Sequence, residues 1–159
     1  MSLTRFHEAQ AAHHAGYETA LAEIRRGRKT RHWIWYILPQ LAGLGHSAMA
    51  EKYAIRDLAE ACDYLRDPLL RARYEEITAA VSDRLARGTA LGHLMGSRID
   101  ALKLVSSLTL FRAAACSLAA DDTSFAPLAQ LCDATLHQVE AEAYPPCSQT
   151  VTGTSRERP

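Results

Sequence analysis

An all-α fold of about six helices packed around one central apolar helix is what this sequence predicts, on three observations. Apolar residues recur at three- to four-residue spacing over most of the chain. No alternating apolar and polar run of strand length competes with them. Residues 100–119, DALKLVSSLTLFRAAACSLA, are apolar almost all the way round, the pattern of a helix with little solvent-facing side.

The chain's 159 residues, 48% hydrophobic and 23% charged, have the size and balance for one domain with one core. That domain is expected over residues 1–147, with a polar, flexible tail over 148–159. Lys plus Arg equals Asp plus Glu at 18 each, so no global field draws nucleic acid, and neither nucleic acid nor membrane is expected as a partner. The opening MSLTRFHEAQ has no signal-like apolar run, and no stretch reads as the ~20 apolar residues of a bilayer span. A cytoplasmic protein is the expectation. Cys62, Cys116, Cys132 and Cys147 are widely spaced with no Cys-x-x-Cys and read as reduced thiols.

Element by element, Ser2 or Thr4 can cap a first helix carrying Phe6, Ala9, Ala12, Tyr17, Ala20, Leu21 and Ile24, which Gly16 can bend or divide. The cations Arg25, Arg26, Arg28, Lys29 and Arg31 sit at its exit, where they complement the negative end of the helix dipole. The aromatic run RHWIWYIL reads as a helix from Thr30 that stops before Pro39. Ser47 can cap a short helix through Ala54, and Asp57 another through Leu65. Asp67-Pro68, a cap followed by a first-turn proline, starts a longer helix through Tyr74, Ile77, Val81 and Leu85. Residues 88–99 read as a glycine-punctuated loop with at most one turn inside it. Asp100 then caps the central helix, and a last amphipathic helix carries Leu128, Leu131, Leu136 and Val139 up to Tyr144-Pro145-Pro146.

No complete catalytic or metal-binding motif appears. FHEAQAAHH approaches the His-Glu-x-x-His zinc signature, but residue 11, where the second ligand belongs, is alanine. His7 and His14 lie two helical turns, ~10 Å, apart, so no metal and no cofactor is expected. Three features remain as candidate ligand contacts. Gly43, Gly45 and Ser47 form a tight turn and helix start that can receive an anion. Lys103 and Ser107 share a helix face with Asp100 and put polar groups on the most apolar helix. Trp33, Trp35 and Gln40 offer stacking and hydrogen bonding for a flat ligand. His32 and Asp100 are the candidates for general acid or base.

The stretches RFHEAQ, YETALAEIRRGRKTRHWIWYILPQLAGLGHSAMAEKYAI, EACDYLRDPLLRAR and DALKLVSSLTLF resemble the domain-of-unknown-function family 1810, some of whose members carry the label calpastatin. The resemblance covers residues 3–112, and its most specific part is the HW-x-W-[FY]-x-x-PQ-x-x-GLG-x-S core. It implies a small multihelical, mostly bacterial, cytoplasmic protein and supplies no activity. A more distant likeness, in the AQ pair and the glycine-rich turn, is to multihelical proteins proposed to cleave N-glycosidic bonds of ADP-ribose or riboflavin precursors.

Two functions follow as expectations. The first is a non-enzymatic module for a protein partner or a small anionic or nucleotide-like ligand. The alternative is a hydrolase of such a molecule, with its site between residues 32–47 and helix 100–109. They part on geometry: whether that junction is closed by protein or left open.

Overall fold

A computed structural model describes residues 2–155. The predicted first helix is two: α1 (Thr4–Gln10) and α2 (Tyr17–Arg26). The turn between them needs glycine at position 16, where a Cβ would lie 2.1 Å from the Ala12 carbonyl oxygen. The aromatic run contributes the single turn α3 (Ile34–Ile37), so Trp33 precedes the helix instead of lying inside it. Ser47 accepts the Ala50 amide and opens α4 (Ala48–Lys52). Asp57 does the same for Glu60 at the head of α5 (Leu58–Arg66). Asp67 accepts the Leu69 and Leu70 amides and, with Pro68 in the first turn, opens α6 (Pro68–Ala86). Four otherwise orphaned amides are satisfied in this way, and the sequence announces each cap.

The glycine-punctuated segment contains the turn α7 (Leu91–Met95). Next comes the longest element, α8 (Arg98–Ala119), in which Leu104, Leu108, Leu110, Phe111, Ala114 and Ala115 are fully buried. A 3-10 turn (Thr123–Phe125) leads into α9 (Ala126–Glu140), and α10 (Ser148–Ser155) follows the prolines. α8 is central as expected: α5, α7, α9 and α10 all pack against it, while α2 and α9 also pack on α6. An aromatic chain of Phe6, Tyr64, Phe111 and Tyr74, with centroids 5.1, 5.0 and 4.4 Å apart in succession, ties α1 to α5, α8 and α6.

Four expectations change. There are ten helices among the described residues, because the first expected helix is two, the loop around Gly92 holds the turn α7 and the segment after the prolines forms α10. Ser97, accepting the Asp100 amide, caps α8 one turn earlier than Asp100 would, which leaves the Asp100 carboxylate to act elsewhere. α8 is long and apolar enough by composition to cross a bilayer, contrary to the sequence reading, although most of it is covered by other helices. Residues 148–155 of the expected flexible tail are helical, with Thr150 and Thr154 buried; residues 156–159 lie outside the described residues.

Candidate functional site

The centre of the predicted junction is a residue that the sequence reading passed over. Glu23, fully buried on α2, accepts the backbone amides of Thr30 and Arg31 at 2.8 and 3.0 Å. It also accepts the Arg31 guanidinium at 2.9 Å and the Trp33 indole Nε1–H at 3.0 Å. Burial alone would push its carboxyl up, but the Arg31 and Thr30 amides, the Trp33 indole and the Arg31 side chain together hold it at about 2. The carboxylate thus nucleates the loop after α2: it fixes residues 30–33 and buries Trp33 completely.

Beside it lies a second charged group. Lys29 is buried, and its Nζ sits 2.7 Å from Asp100 Oδ2 and 5.1 Å from the centroid of the Trp33 ring. Lys103 Nζ approaches Asp100 Oδ1 at 3.8 Å and lies 5.2 Å above Trp35. Asp100 is therefore held between two lysines, each of which faces one of the tryptophans. The Lys29 amide donates to the Leu94 carbonyl at 2.7 Å, and a Cβ on Gly96 would meet the Lys29 carbonyl oxygen at 2.8 Å. Gly96 itself has φ of +82°, so a side chain there fails on conformation and on space.

Of the candidate residues, the structure brings together Trp33, Trp35, Asp100 and Lys103, and it adds Glu23 and Lys29. It disperses the others. Ser107 is turned into the core, where it shares a hydrogen bond of 2.9 Å with the Tyr74 hydroxyl. His32 is exposed, and no hydrogen bond or ion pair of its side chain joins it to Asp100 or Lys103 among the described residues. Ser47 spends its hydroxyl on its own helix cap. α4 has only five residues, too short to gather a dipole-aided anion site. Gln40, Gly43 and Gly45 line a space of about 10 Å³ beneath Trp35, enough for no more than a single water. The loop over that space is pinned by the Ala42 amide on the Ile55 carbonyl at 2.7 Å and the Ile55 amide on the Gln40 carbonyl at 2.9 Å.

The protein family described as a protein of unknown function, DUF1810, matches residues 1–141. The chain belongs to that family. Its fold also matches the 1.38 Å crystal structure of the conserved hypothetical protein Rv1873 from Mycobacterium tuberculosis, at 32% identity over 96% of each chain, with a TM-score of 0.74. Comparison with curated proteins returns no match. Within this DUF1810 chain, the signature run forms one wall of a charge-paired junction with the start of α8.

Larger spaces lie elsewhere. Along the seam of α5 and α8, two cavities of about 570 and 480 Å³ share Arg66. Leu58, Leu65, Leu118 and Phe125 are among their apolar linings, and Arg71, Asp57, Asp121 and Asp122 stand beside them. A further cavity of about 460 Å³ lies between α2 and the end of α6. Among the described residues, no group of three or more His, Cys, Asp or Glu could hold a metal ion. His7 instead pairs with Asp67 at 2.7 Å, while His13 and His14 are exposed.

Proposed function

We propose that the protein is a non-enzymatic interaction module that holds an apolar segment of a protein partner along the α5–α8 seam. The observation that carries this reading is the pair of cavities joined at Arg66, whose lining runs from Asp57 and Leu58 to Phe125. An apolar trough rimmed by charge suits a short segment with two or three apolar anchors. Among the described residues, Arg66 is committed only to an exposed pair with Asp63 at 3.0 Å, a pairing worth little in water. An acidic side chain between the partner's anchors can take its place.

The hydrolase reading has less support. It requires Asp100 or His32 to exchange a proton at the junction, yet the Asp100 carboxylate is engaged by Lys29 and Lys103, His32 is exposed, and the space beneath Trp35 admits no nucleotide. Peptides selected for binding from a random library provide the test, mapped by amide hydrogen exchange. Protection is expected over residues 58–72 and 117–125, and Arg66→Glu should weaken binding of acidic selected peptides at least tenfold. Binders that protect residues 29–47 instead, or a rise in melting temperature with adenosine monophosphate or ADP-ribose that Lys103→Ala abolishes, would overturn the proposal.

A further inference from the structure

Arg84 lies on the wrong side of its helix for an arginine. It follows Val81 by three residues and Ile77 by seven, on the stripe of α6 that those two buried residues mark. Its guanidinium lies against Gly27, the last-turn cap of α2: a Cβ built there would come within 2.3 Å of Arg84 Nη2. Gly27 has φ of +97°, so the backbone favours glycine there, and the guanidinium lies over the space a side chain would take. Arg84 Nε is buried without a hydrogen-bond partner, and among the described residues the side chain makes no ion pair.

Its neighbours do not compensate it. The 460 Å³ cavity that Arg84 lines also contains Arg25, Arg87, Glu76 and Asp83. Both acids are already engaged: Asp83 holds Arg87 Nε at 2.9 Å, and Glu76 accepts the Tyr17 hydroxyl and faces Arg25 at 3.9 Å. The C-terminus of α2 contributes about half a negative charge through its dipole, which leaves the remainder of the guanidinium charge unbalanced. A partly buried cation without an acceptor is costly, and a guanidinium fork is the donor set best matched to a bidentate oxyanion.

We infer that the cavity between α2 and the end of α6 is a phosphate-binding site, with Arg84 as its central donor and Arg25 and Arg87 at its edges. Three cations against two acids leave the cavity with a net positive charge, and the several oxygens of a phosphate can engage more than one guanidinium group. The cavity greatly exceeds one phosphate group, and Ala79 and Ala80 give it a flat apolar side, so the ligand class is a phosphorylated small molecule. The site is independent of the α5–α8 seam and stands or falls separately from the partner reading.

The test is a titration of the full chain with inorganic phosphate, and separately with adenosine monophosphate, at constant ionic strength, followed by the arginine Nε–H signals in NMR. Saturable shifts of the Arg84 signal are expected with both. Affinity should fall at least tenfold in Arg84→Ala, fall less in Arg84→Lys, and remain unchanged in Arg66→Glu. Arg84→Ala removes an unpartnered charge and should fold, as its amide spectrum will report. No saturable shift in the wild type, or the same affinity in Arg84→Ala, would overturn the inference.

Discussion

Two charged regions of this molecule treat their cations in opposite ways. At the junction of α2, the aromatic run and α8, Glu23 receives four donors and Asp100 receives Lys29 and Lys103. On the α2–α6 face, Arg84 has a buried Nε with no acceptor. A buried charge with all its partners belongs to the architecture, because removing either side strands the other. A charge left over after the local acids are spent is available to something outside the chain. The comparison moves attention from the residues that look like chemistry in the sequence to one that does not.

The largest break expected is at Glu23. Its replacement by alanine orphans the buried Trp33 indole and two partly buried amides and should cost about 3–5 kcal/mol of unfolding free energy, measured in denaturant. The same carboxylate sets an acid limit. Its folded value of about 2 lies below the ordinary 4.5, so its contribution is present above pH 4.5 and is lost as pH falls toward 2. On that shift it amounts to about 3 kcal/mol, and Glu23→Gln should flatten the acid limb of the stability profile. Asp67, held low by the Leu70 amide and His7 against the opposing effect of burial, adds to the same limb.

Lys103→Ala should have a smaller effect, about 1 kcal/mol, because the side chain is a quarter exposed and its contacts with Asp100 and Trp35 are long. Arg84→Ala should be smaller still, within about 0.5 kcal/mol of the wild type or slightly stabilising, since no partner is stranded. A thermal melt of these two variants side by side sharpens the contrast: a larger loss from Arg84→Ala than from Lys103→Ala would erase the distinction between the regions.

What was legible in the sequence was what local chemistry decides. Ser47, Asp57 and Asp67-Pro68 announce their helices because a cap and its amides lie within three residues of each other. The central position of α8 follows from its composition, and Gly16 marks the split between α1 and α2. Contacts distant in sequence were not legible. Asp100 reads as an N-cap until Lys29, far along the chain, is known to claim it, and Ser97 then takes the cap. The segment 148–155 looks unstructured because its threonines, serines and glycine favour no helix. It becomes one against α8, with Thr154 bonding back to the Thr150 carbonyl at 2.9 Å and Gly153 packed so closely on Leu41 that a Cβ would lie 2.7 Å from its Cδ2. Two signals could have been read and were not: Glu23 beside Ile24 on the apolar side of α2, and Arg84 in register with Ile77 and Val81.

The claim that the signature junction is a closed structural lock is tested most directly at Lys29, 4% exposed and 2.7 Å from Asp100. Urea unfolding of Lys29→Ala should show a loss of about 2–4 kcal/mol relative to the wild type, the cost of leaving Asp100 without its buried partner. A stability equal to or above that of the wild type would contradict the account and mark the junction as a ligand site after all.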